Sequence, residues 1–308
     1  MERSVFRTLP NGRVLLVQPF HVSLEGLESA IICRDEEDYD VVEKILCVCS
    51  KRKNVIIIIH AIVSNHAHIA TLAENLTAAQ AYAEEVKRMI AMWARKKYGE
   101  KNLMKGVDAK AIGLDNNWHI RNALAYIPRN ALDNGYNVNE YRWSGYRAMF
   151  HPGTKPEDGP FRRVASLSKR EREAILHTCD KLENVDWLLD QYNHLVPESF
   201  CDSAYLEQVF EGDQAYFLKT IGGQNSAEMK HQLIDQPRTM MPDSEFFKSV
   251  NDISLRWFQM GLGDISFEKK IRLLPYVKKT MKTSVSQLAR VFGLTREQVS
   301  SILCVKNK

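Results

Sequence analysis

The chain has 308 residues, 44% hydrophobic and 26% charged, with a net charge of +4, which is enough to bury a sizeable core and suggests two domains. No apolar stretch approaches the roughly twenty residues needed to span a bilayer, and the first residues do not lead into a signal-peptide core, so the expected compartment is the cytoplasm. The six cysteines are scattered without a CxxC spacing, which favours free thiols in a cytosolic protein.

Residues 13–24, with Val14-Leu15-Leu16-Val17 and Phe20-His21-Val22-Ser23-Leu24, predict a first strand. Residues 35–51 predict a helix with Val41, Ile45, Val48 and Cys49 at core spacing. The β-branched run from Val55 to Val63 then predicts a buried strand. Ser64-Asn65 can reverse it, and Ala67-His68-Ile69-Ala70 can return as its hairpin partner. Strand side chains alternate, so His66 and His68 share one face about 7 Å apart, within reach of one metal ion. The competing reading is two polar residues on the wet side of a hairpin. His60 and His119 read as structural, and His21 is a weaker site candidate.

Asn75-Leu76-Thr77 opens a second helix, with Thr77 as its expected cap and Tyr98-Gly99 as its end. Residues 105–114 predict a short strand and loop. Asp115-Asn116-Asn117 offers capping groups for a third helix, in which Trp118, Ala123, Tyr126 and Ile127 keep helical spacing. Tyr126 and Asn130 lie four apart and share a face of a continuous helix. Pro128 lacks an N–H, so a kink just after Tyr126 or a fresh turn at Pro128 is expected, and either would shift Asn130.

The Pro/Gly-rich stretch 151–165 reads as a linker. Ser168-Lys169-Arg170-Glu171 resembles a capping box and opens an all-α half, 166–308. Helical spacing continues through Ile175, Leu182, Leu188 and Leu189, and further helices are expected at 203–209, 212–220, 226–233, 243–250 and 267–282. Residues 266–308 hold ten Lys/Arg against two Glu, a charge of +8 that leaves −4 for the rest. Within this tail, Ala289, Gly293 and Val299 fit a helix-turn-helix at about 284–308, with Thr295 capping its second helix. Arg290, Arg296, Gln298, Ser300 and Ser301 are then the candidate DNA contacts. An ordinary helical hairpin is the alternative.

Four segments together carry a resemblance. Val63-Ser64-Asn65-His66-Ala67-His68-Ile69 resembles the hydrophobic-Pro-Asn-His-hydrophobic-His-hydrophobic motif of single-tyrosine HUH transposases. Ala125-Tyr126-Ile127-Pro128-Arg129-Asn130 resembles their Tyr-Ile-x-x-Asn-Pro segment. Tyr141-Arg142-Trp143-Ser144-Gly145-Tyr146-Arg147 and Arg34-Asp35-Glu36-Glu37-Asp38-Tyr39 are similar to stretches of the REP-associated tyrosine transposase branch. The segments stand in family order and cover about residues 14–150. Ser64, Pro128 and Ala131 depart from the pattern.

The resemblance implies an α+β fold. An HUH-type, mainly antiparallel sheet over 1–150 would carry His66 and His68 on its central strand, with helices on one face. It implies a nucleoid-associated enzyme that nicks and joins single-stranded or hairpin-repeat DNA, possible as a homodimer. His66, His68 and an amide oxygen from Asn130 would hold Mg²⁺ or Mn²⁺, and Tyr126 would form a covalent 5′-phosphotyrosine. Two alternatives stand beside it: a DNA-binding or regulatory relic with an inactive site, and metal-dependent hydrolysis in which Tyr126 is merely structural.

Overall fold

A computed structural model describes residues 3–25, 31–151, 153–222, 243–281 and 283–304. The expected helix at 226–233 lies outside the described residues. The chain is α+β, built on an antiparallel sheet. A short strand β1 (Val5–Thr8), not expected from the sequence, pairs with the first residues of β2 (Val14–Glu25). Helix α1 (Glu36–Lys53) follows, capped by Asp35 at its start and closed by Asn54 in the left-handed region. The β3 (Ile56–Ile62) and β4 (Ala67–Ala73) hairpin comes next, then α2 (Leu76–Tyr98), β5 (Asp108–Gly113) and α3 (Asn117–Asp133).

In space the strands run β5-β2-β4-β3, every neighbour antiparallel. The order β2-α1-β3-β4-α2-β5 is thus a split βαβ arrangement, in which β4 fills the slot that the α1 crossover leaves beside β2. β4 is central, as expected for the strand carrying the histidines. His68 lies on it, whereas His66 sits in the turn just before it.

Helices cover both faces of the sheet, not one. Phe20, Val22, Leu24, Ala67 and Ile69 point to α1 and α2, while Ile58, Ile59, Ala70 and Leu72 point to α3. Double coverage explains why β3 reads as an unbroken isoleucine run rather than as an alternating strand. Helix α2 is capped by Asn75, not Thr77: the Asn75 side chain accepts from Ala78 N.

The second half is not all α. After α4 (Lys169–Ile175), which the Ser168–Glu171 capping box does open, the expected helical run gives way to a two-stranded ribbon. Here β6 (Arg162–Arg163) pairs with β7 (Leu188–Leu189). Residues on both sides of the expected boundary near 165 pack against the sheet. Val164, Leu167, Leu182, Trp187 and Leu189 pack into the α1/α2 side of the sheet. Tyr205 and Leu206 of α5 (Ser203–Val209), together with Phe217 of α6 (helical over the described residues 214–222), pack into the α3 side. A third core belongs to α7 (Asp243–Phe258), α8 (Phe267–Thr280), α9 (Val285–Phe292) and α10 (Arg296–Cys304), with Ile31 as its contribution from the first half. All six cysteines are free: Cys33, Cys47 and Cys49 are buried, Cys201 is half-buried, and Cys179 and Cys304 are exposed. Among the described residues no helix is long and apolar enough to cross a membrane.

Candidate functional site

The site forms where the α3 face of the sheet meets the β3–β4 turn. Strand alternation sends His68, Ala70 and Leu72 toward α3. The β2–β4 register pairs His21 with Ala70 and Ser23 with His68, so His21 lies diagonally across from His68 on that same face. His21 Nε2 is 3.1 Å from His68 Nδ1 and the two rings stack with centroids 5.1 Å apart. The His66 ring meets His68 edge-on at 5.0 Å. The structure therefore brings the His-x-His pair together as expected and adds His21.

Helix α3 supplies the other half. Asn116 caps it by accepting from His119 N, and the helix runs through Pro128 without interruption. Tyr126 and Asn130 consequently stay one turn apart on the face toward the sheet. The Tyr126 ring lies 5.1 Å from His68 and 6.3 Å from His21. Asn130 is oriented by its own helix: its Nδ2 donates to the carbonyls of Tyr126 at 3.0 Å and Ile127 at 3.1 Å. With the amide nitrogen spent on the backbone, Oδ1 turns outward and sits 3.2 Å from His66 Nε2. On its other side, His66 Nδ1 is 2.9 Å from Asn65 Oδ1.

His68 is 2% exposed. Burial pushes its pKa well below the usual histidine range, and the neighbouring His66 and His21 push it further. A neutral imidazole is the form that binds a metal. Among the described residues, no three His, Cys, Asp or Glu side chains are arranged to hold a metal ion. The expected donor set differs, being two imidazoles and an amide oxygen. Two donors on one small cation lie about 3 Å apart, and Asn130 Oδ1 and His66 Nε2 are at that separation. With Nδ1 of His68 engaged by His21, Nε2 is the nitrogen that would serve as ligand, and His21 takes the orienting place behind it. The His66–Asn130 separation is compatible with a shared ion.

His60 and His119 lie away from this site. His60 is fully buried on the α1 side and bonded to Glu43 at 3.0 Å, and His119 lies at the exposed start of α3. Trp143 and Tyr146 are buried packing residues. His21 was the weakest signal in the sequence, because only the β2–β4 register places it at the site.

In the tail, α9 and α10 are joined through Gly293, whose φ of 63° needs the left-handed region. Thr295 and Gln298 cap α10 reciprocally, since Gln298 N donates to Thr295 Oγ1 and Thr295 N donates to Gln298 Oε1. Arg296, Gln298, Ser300 and Ser301 are exposed along α10. Arg290, expected at the DNA face, instead points inward, with Nε 2.5 Å and Nη2 3.0 Å from the Asp243 carboxylate. Burial alone would raise the Asp243 pKa, but Arg290, Ser64 and Gln287 outweigh it and hold the carboxyl below its usual range.

Set against protein-family models, curated proteins and solved structures, the chain matches none.

Proposed function

We propose that the chain nicks and rejoins single-stranded DNA in the manner of single-tyrosine HUH transposases, through a covalent link to Tyr126. The convergence of His66, His68, Tyr126 and Asn130 from a hairpin and a helix 64 residues apart in sequence carries this reading. A divalent cation held by His66, His68 and the Asn130 amide oxygen would supply Lewis acidity to the scissile phosphate. The Tyr126 oxygen attacks phosphorus and the bond to the 3′ oxygen breaks. The tyrosine proton leaves, the departing 3′ oxygen gains one, and the 5′ phosphate stays on Tyr126 as an ester. That ester keeps its bond energy, so the 3′-OH of another strand can reverse the step.

The approach to the site suits an unpaired strand. Lys110 of β5 lies in one row with Ser23 and His68, and Ile112 lies in the next row with His21 and Ala70. Lys110 is exposed, Ile112 is 47% exposed and Trp118 at the start of α3 is 70% exposed. A cation flanked by apolar and aromatic surface is the pattern of single-strand binding. The exposed face of α10 is the proposed second DNA contact, on the reading of α9 and α10 as a helix-turn-helix.

Tyr126→Phe removes one oxygen and leaves the packing of α3 intact. With labelled hairpin DNA and Mn²⁺, wild type is expected to give a protein–DNA adduct on a denaturing gel, and Tyr126→Phe none, while DNA binding persists. Cleavage by Tyr126→Phe without a protein-linked end would make water the nucleophile. Absence of an adduct from wild type with either metal would reduce the chain to a binding protein.

A further inference from the structure

Ser64 sits two residues before His66, in the turn that joins β3 to β4. Its carbonyl accepts from Ile32 N at 2.7 Å and Cys33 N at 2.9 Å, and Val63 N donates to His66 O at 2.9 Å. Ser64 is 2% exposed and its hydroxyl donates to Asp243 Oδ2 at 2.6 Å. Asp243 opens α7, is 3% exposed, and accepts from Gln287 Nε2 at 2.9 Å as well as from both Arg290 nitrogens. A line of direct contacts therefore runs from α9 through Asp243 to Ser64, one peptide from Asn65 and two from His66.

A carboxylate this deeply buried is tolerated because Arg290 neutralises it, and removing that charged partner would be strongly destabilising, whereas the Ser64 hydroxyl is a single neutral hydrogen bond beside the pair. Its geometry is correspondingly fixed: the guanidinium and the amide hold the carboxylate, and the carboxylate holds the hydroxyl. On the other side of the turn, His66 reaches Asn130 across 3.2 Å, a separation that a small rotation of the turn would break.

We propose that Asp243 is a positioning residue for the site: backed by α9, it clamps the Ser64–His66 turn so that His66 faces Asn130. The C-terminal helical unit is then part of the machinery that sets the metal-binding geometry, besides any contact it makes with DNA. The catalytic consequence rests on the nicking reading, whereas the clamp itself does not.

The test uses the full chain as wild type, Ser64→Ala, Asp243→Asn and the double variant. Ser64→Ala deletes one oxygen and leaves the Asp243–Arg290 pair in place, so it keeps the fold even if Asp243→Asn weakens it. Ser64→Ala is expected to melt near wild type. It should show faster hydrogen exchange at the Asn65 and His66 amides and bind Mn²⁺ about tenfold more weakly by calorimetry. The double variant should be no worse than Asp243→Asn alone, because both act through one contact. Unchanged exchange in the turn, unchanged Mn²⁺ affinity despite faster exchange, or additive effects in the double variant would each overturn the proposal. If wild type binds no Mn²⁺ and forms no adduct, the nicking reading falls by itself. Exchange then decides the clamp: faster exchange in Ser64→Ala upholds it, and unchanged exchange overturns it.

Discussion

His68 couples the site to pH through its burial. Its folded-state pKa lies well below the usual 6.5 because burial disfavours the charged ring. As pH falls, the unfolded chain takes up this proton first, so stability present above about pH 6.5 is lost toward the folded pKa. Melting temperature is expected to drop below about pH 6.5, and His68→Asn to flatten part of that drop. His177, also lowered by burial, supplies another part. An unchanged slope in His68→Asn would assign the whole effect to other groups. Asn130→Ala should weaken Mn²⁺ binding about tenfold by calorimetry, since it removes the oxygen facing His66 while leaving the imidazoles in place. That His66 and His68, and Tyr126 and Asn130, would lie near one another was legible because each pair is close in sequence, whereas the meeting of the two pairs rested on the family resemblance. Arg290 was not legible, because its partner Asp243 lies 47 residues away and no local pattern announces a buried ion pair.

At the scale of elements, the edge of β5 shows how side chains finish a sheet. Gln80 of α2 donates from Nε2 to Ala109 O at 2.8 Å and accepts from Ala111 N at 2.9 Å, standing in for a missing strand. Gln80→Ala would strand a buried N–H and is expected to destabilise by about 1–3 kcal/mol, read from urea unfolding. A change much smaller would mean that water replaces the amide. The strongest periodic signals came through: β3 with its isoleucines, α1 and α2. Pro128 misled because the expected break assumes that an unsupported helix pays the full cost, whereas α3 is held by Leu124, Ala125 and Ile127 packed against the sheet. Leu182, Leu188 and Leu189 misled in the opposite sense. Their spacing suits a helix, yet β6 pairing and packing into the α1/α2 core draw the last two into a strand.

For the molecule as a whole, the tail cannot be removed as an independent module. Deleting 284–308 would take Gln287 and Arg290 from Asp243 and leave a buried charge beside the His66 turn. Surface variants test DNA contact more cleanly. Arg296→Ala and Lys110→Ala are each expected to lower the slope of log affinity against log salt by about one unit, with Lys110→Ala leaving unfolding unchanged. Slopes equal to wild type would remove these residues from the DNA path. The scattered cysteines, finally, make the native chain its own molecular ruler. Burial pushes the thiols of Cys33, Cys47 and Cys201 well up, and that of Cys49 up to about 12, so a maleimide dye finds little thiolate there. Cys179, whose thiol is also pushed up by its hydrogen bond to Glu173, and Cys304, at the end of α10, are the two exposed thiols, so labelling them calls for a mildly alkaline buffer. A donor and an acceptor on this pair report the spacing between the sheet body and the last helix with no engineered residue, and the distance distribution is expected to broaden when Ser64 loses its hydroxyl.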